Sequence, residues 1–78
     1  MDNYIPLGVY RHYKGKHYSV IGFARHSETL ETMVLYVPHY GDAVFWVRPL
    51  AMFREYVNVD GKVLPRFEYI AVSAEQAK

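Results

Sequence analysis

Val44-Phe45-Trp46-Val47-Arg48-Pro49-Leu50-Ala51-Met52-Phe53 is the stretch that decides the reading of this chain. An apolar run of β type, holding the sole tryptophan, stops at Arg48-Pro49, and a knot of Leu50, Met52 and Phe53 follows. Proline has no N–H to give a ladder and drives the residue before it into extended geometry, so residues 43–48 read as a strand that ends there. Five residues cannot sustain an isolated α-helix, and residues 49–53 read as one short 3₁₀-like turn. Alternation along the strand puts Phe45 and Val47 on one face and Trp46 and Arg48 on the other. The first pair is assigned to the core, which leaves Trp46 and Arg48 on a second, partly exposed face.

The flanking sequence supplies further strands to cover this one. Upstream, residues 8–13 (GVYRHY) and 17–24 (HYSVIGFA) read as a hairpin closed by Lys14-Gly15. In that two-residue register Tyr13 pairs with Lys16 and His12 lies directly opposite His17. Residues 25–31 (RHSETLE) form a polar loop, and residues 32–38 (TMVLYVP) a nearly continuous apolar strand, as expected when both faces are covered. Downstream, residues 54–59 and 62–64 flank Asp60-Gly61, a strong hairpin signal, and residues 67–70 make a last short strand after Pro65. Val9, Val20, Val34, Tyr36, Phe45, Val47, Phe53 and Phe67 are the expected core.

Five or six short strands separated by turns predict an all-β fold, an SH3-like small barrel with one 3₁₀ turn. The 78 residues make one domain, with residues 1–7 a lead-in and 71–78 a flexible tail in which Ser73-Ala74-Glu75-Gln76 has capping-box spacing. Hydrophobic residues make up 51% and aromatic residues 17%, enough for a core in so short a chain. With no cysteine there is neither a disulfide framework nor a thiolate metal site. No apolar run approaches the roughly 20 residues of a membrane helix. Met1-Asp2-Asn3-Tyr4 lacks the basic start of a secretory signal, so a cytoplasmic protein that avoids membranes is expected. Formal net charge is +1, which gives only weak long-range attraction to nucleic acid.

Gly8-Val-Tyr-Arg-His-Tyr-Lys-Gly15, Ala24-Arg-His-Ser-Glu-Thr29, Tyr40-Gly-Asp42, Trp46-Val-Arg-Pro49 with Met52-Phe53, Val59-Asp-Gly-Lys62 and Pro65-Arg-Phe67 occur in that order. Together they resemble a family of small bacterial proteins known as domain of unknown function 1653, between about Gly8 and Phe67. The resemblance brings no activity and no catalytic role with it. It marks residues 25–29 and 46–48 as the places where a site belongs. His39 stands where the resemblance leads one to expect an apolar residue, so no shared role attaches to it.

Four kinds of chemistry compete for these residues. A metal needs ligands beyond the cross-strand His12 and His17, with His26 and Glu28 in the next loop, and the spacing matches no zinc pattern. Hydrolysis by Ser27 with its neighbours His26 and Glu28 fails because adjacent residues do not make a triad and no nucleophile elbow exists. Single-stranded nucleic acid would use Arg11, Lys14, Lys16, Arg25, Arg48, Arg54 and Arg66 interleaved with Tyr10, Tyr13, Tyr18 and Tyr40. A peptide or small-ligand module would use a Trp46–Arg48 platform suited to a planar or anionic group, with Arg25, His26, Ser27 and Glu28 as its rim. The competing reading of that platform has Trp46 capping the barrel and Arg48 paired with Glu28 or Glu55. The chain is read as a non-enzymatic binding or interaction module for a protein segment or small molecule. It would work as a monomer or weak homodimer without cofactor. Single-stranded nucleic-acid binding is the alternative, and a metal-binding or hydrolytic enzyme stands third.

Overall fold

A computed structural model describes residues 5–42 and 44–73. Seven strands and one helical turn follow in order: β1 Gly8–His12, β2 His17–Arg25, β3 Thr32–Pro38, β4 Trp46–Pro49, α1 Leu50–Phe53, β5 Tyr56–Val59, β6 Lys62–Pro65 and β7 Phe67–Ala71. The seven strands correspond to the seven segments picked out along the sequence, one more than the five or six of the expected barrel, and β6 and β7 stay separate because Arg66, after Pro65, turns its N–H to the Glu55 carbonyl at 2.9 Å. Residues 74–78, with most of the expected tail and its capping box, lie outside the described residues, as do residues 1–4 and 43. Ala71 itself is the buried end of β7.

β4-β3-β2-β1-β7 form one antiparallel sheet, and β5-β6 a separate ribbon. The fold is nearly all-β, and it is barrel-like only approximately, because β4 and β7 remain as edges of an unclosed sheet. Bulges between Val20 and Gly22 and between Val9 and Tyr10 shift the register and locally strengthen the twist. The β5-β6 turn has positive φ at both Asp60 (53°) and Gly61 (83°), a type I′ hairpin as Asp-Gly dictates, and Asn58 Oδ1 accepts the Gly61 N–H.

The first hairpin departs from the two-residue register. Arg11, not His12, lies opposite His17, and His12 closes on Lys16 through its N–H at 2.8 Å. The loop is therefore Tyr13-Lys14-Gly15, a β-turn closed by Gly15 N–H to His12 O with φ +108° at its third residue. A one-residue slip exchanges faces, so His12 and His17 lie on opposite sides of the sheet and cannot share a metal.

Residues 50–53 close one α-type turn, with the Arg54 N–H on the Leu50 carbonyl at 3.1 Å, rather than a 3₁₀ turn. Pro49 as N-cap needs no N–H partner, and Leu50 and Phe53, three apart, face the sheet together. The core is Tyr10, Val20, Val34, Tyr36, Leu50, Phe53 and Phe67 on one face of the large sheet. Phe53 stacks flat on Phe67 at 4.0 Å and meets Tyr10 and Tyr36 edge-on. Val9, also expected inside, is buried.

Phe45 and Val47 are not core. They are 63% and 51% exposed. Arg48 pairs with Val34 and Trp46 with Tyr36, so those two share the inner face while Val47 joins Leu35 on the outer one. Because α1 follows β4 directly and packs Phe53 against Tyr36, it covers the face that carries Trp46 and Arg48. Side-chain hydrophobicity alone could not choose between the faces; the direction in which the chain turned after Pro49 chose.

The aromatic cleft as candidate functional site

Trp46 and Arg48 share the inner face of the sheet. There Tyr18, Tyr36, Pro38, Tyr40, Trp46 and Arg48 line a cleft of about 180 Å³. The strand register assembles it. Tyr18 pairs with Pro38, and Tyr36 with Trp46, so β2, β3 and β4 each place a ring on the same face. Tyr40 comes from the loop after β3, and its hydroxyl shares a 2.9 Å hydrogen bond with that of Tyr18. Burial first, and then that bond, pushes the Tyr18 hydroxyl up to about 12.

Arg48 is half-buried and has no carboxylate partner among the described residues. Its Nε donates a long 3.5 Å bond to the Tyr36 hydroxyl, and its guanidinium lies 5.5 Å from the Phe67 ring centroid. Glu55 is taken by Arg66 at 3.3 Å, and Glu28 lies in the distant loop, so neither expected acidic partner neutralises it. The positive field reaches His12. Burial is the largest influence lowering its pKa, followed by Arg48, Arg66 and Lys14. The His12 ring meets Tyr18 and Phe67 edge-on, and its Nδ1 accepts the Lys14 N–H. A second cation stands at the rim, with Lys16 Nζ 4.7 Å from the Tyr40 ring centroid. A neighbouring concavity of about 270 Å³ shares Pro38, Tyr40 and Trp46 and adds Gly41, Asp42 and Val44.

The loop expected as the rim lies elsewhere. Arg25 is opposite Thr32, four residues along β3 from Tyr36, which is about 13 Å of strand. None of Arg25, His26, Ser27 and Glu28 lines the cleft. The side chains of Arg25 and His26 close on their own loop: His26 Nδ1 accepts the N–H groups of Glu28 and Thr29 at 3.1 and 3.2 Å, and Arg25 donates to the Leu30 carbonyl. His26 thus does the work of a capping side chain. His17 sits on the outer face near His39, ring centroids 6.2 Å apart, and His39 Nε2 bonds Ser19 Oγ. No cluster of three or more His, Cys, Asp or Glu able to hold a metal exists among the described residues. The expected basic stripe is broken up as well, since Arg11 pairs with Glu68 and Arg66 with Glu55.

Tyr36 and Pro38 were not legible as site residues. Tyr18 and Tyr40 were legible only as stacking rings for nucleic acid, and the cross-strand register is what joins them to Trp46.

These features define a small, nearly all-β domain with an aromatic cleft and an unneutralised arginine in its lining. No helix among the described residues is long and apolar enough to cross a membrane. Residues 8–69 match the family model "Protein of unknown function (DUF1653)", and the chain belongs to that family. It is also similar to the crystal structure of a DUF1653 protein from Bordetella bronchiseptica. That match has a TM-score of 0.79 and 40% identity, and it covers 86% of this chain and 88% of that one. No curated protein matches the chain.

Proposed function

We propose that the domain is a binding module and that the cleft around Trp46 takes a side chain of a protein segment or a small planar molecule. The observation that carries this reading is the convergence of four aromatic rings, Pro38 and Arg48 on one concavity from three strands and a loop. An aromatic wall with one fixed cation is the usual composition of a small recognition site, with apolar area for affinity and few polar groups for orientation. Two further features support it. Trp46 stays 55% exposed although its strand neighbours supply core, and Tyr40 is held over the cleft by a hydrogen bond that needs no ligand. A preorganised wall of this kind lowers the ordering cost of binding.

Because Trp46 is the sole tryptophan, all indole emission comes from the site. Titration with benzyl alcohol should give a saturable change in that emission, weakened in Tyr40→Ala, whose exposed ring can be removed without opening the core. An unchanged spectrum would count against the cleft. Tyr18, Tyr40 and Trp46 beside Lys16 and Arg48 also fit the stacking chemistry of single-stranded nucleic acid. Salt-sensitive quenching by oligothymidylate, with no response to benzyl alcohol, would favour that second reading.

A further inference from the structure

We propose, building on the cleft as binding site, that its ligand is an oxyanion, carboxylate or phosphate, carried on a flat ring, with Arg48 as the residue that selects the charge. The argument begins with electrostatics. A guanidinium taken partly out of water loses hydration and needs compensation. Here its Nε donates only a 3.5 Å bond to the Tyr36 hydroxyl, its guanidinium lies over one ring, and no carboxylate among the described residues answers it. Its terminal nitrogens therefore remain available as a planar two-pronged donor, the geometry that carboxylate and phosphate fit.

The surroundings set the sign and the shape. Lys16 at the Tyr40 rim adds a second positive charge, and the pKa of His12 beside the cleft is lowered by burial and then by the cations Arg48, Arg66 and Lys14. Asp42 lines the adjoining concavity that shares Tyr40 and Trp46, and not the cleft with Arg48. An anionic end therefore belongs at Arg48, away from Asp42. The same charges argue against a quaternary ammonium or methylated lysine, which an aromatic cage without a resident cation would favour. A cleft of about 180 Å³ has room for a single ring with its charged group. Trp46, Tyr18 and Tyr40 supply faces and edges for that ring.

The test uses the intact domain and Trp46 emission with benzoate, phenyl phosphate, benzyl alcohol and inorganic phosphate as probes. Benzoate or phenyl phosphate should bind at least about tenfold more tightly than benzyl alcohol, the worth of one charge-assisted hydrogen bond pair in a half-open site. Whichever of the two is tighter identifies the head group. Inorganic phosphate should bind far more weakly than phenyl phosphate. Arg48→Gln should bring the anions to within about twofold of benzyl alcohol, while Arg48→Lys keeps part of the preference. Far-UV circular dichroism and a cooperative thermal melt show that each variant is folded. Equal affinity for benzyl alcohol and benzoate, or a preference that survives Arg48→Gln, overturns the oxyanion proposal while leaving the cleft intact. Failure of every probe to perturb Trp46 overturns the cleft reading itself.

Discussion

Replacing Phe53 by alanine should nearly unfold the domain, whereas the same change at Phe45 should hardly register. Phe53 is 1% exposed, stacked on Phe67 at 4.0 Å and edge-on to Tyr10 and Tyr36, so it joins the helical turn to three strands. Removing a buried Phe costs about 3–5 kcal/mol in lost transfer energy and residual cavity. A domain of 78 residues has about 4–12 kcal/mol in all. In a domain of this size each kcal/mol moves Tm by about 4–8 °C, so Phe53→Ala should melt at least about 12 °C lower. Phe45, at 63% exposed, falls in the class of surface changes worth about 0.5 kcal/mol or less, under about 4 °C. Melts followed by far-UV circular dichroism compare the two directly. Should Phe45→Ala be the more damaging, the face assignment of β4 is wrong, and with it the position of Trp46 and Arg48 in the cleft.

Three further outcomes follow from local geometry. Gly8→Ala should destabilise by more than about 1 kcal/mol in urea titration, because φ is +141° and a Cβ there would stand 2.5 Å from the Ala71 carbonyl oxygen. His12 should titrate by NMR below its ordinary 6.5, since burial and then Arg48 lower it, and Arg48→Gln should raise the midpoint. Its neutral form is the one favoured by folding, so this contribution is present above pH 6.5 and is lost as pH falls through the lowered folded value; an unshifted midpoint contradicts the packing. Burial, then the charge of Tyr69, pushes Tyr10 up to about 12, and its hydroxyl donates to the Pro6 carbonyl at 2.7 Å. Stability from this group is complete below pH 10 and is lost as pH rises towards 12, so Tyr10→Phe should flatten the alkaline decline in Tm.

The strand boundaries were legible because turn chemistry is local. Lys14-Gly15, Asp60-Gly61 and Pro49 each interrupt the chain whatever lies around them, and most strands end within a residue or two of the expected place. Register and facing were not legible, because both depend on partners distant in sequence. At the first hairpin, two- and three-residue loops are both compatible with Tyr13-Lys14-Gly15, and the difference of one residue moves His12 from the side of His17 to that of Phe67. On β4, alternation correctly separated Phe45 and Val47 from Trp46 and Arg48, but only the turn of α1 onto Tyr36 says which pair is inside. The loop at residues 25–31 misled for a related reason. Its polar density looks like a site, yet His26 and Arg25 spend their hydrogen-bonding capacity on their own loop. Two of the six residues lining the cleft, Trp46 and Arg48, were singled out by their odd placement on an apolar strand. Tyr36 and Pro38 needed the β3 register to be seen at all.

The central claim is that Trp46 and Arg48, with Tyr18 and Tyr40, form the binding site and that the residues 25–29 loop does not. One ¹H–¹⁵N NMR titration with benzoate tests it most directly. The Trp46 indole N–H and the Arg48 Nε–H should shift together and saturate at a common midpoint, with the backbone of Tyr40 following and the loop at 25–29 unmoved. Shifts centred on His26 and Glu28, with the Trp46 indole and Arg48 resonances fixed, would contradict the account.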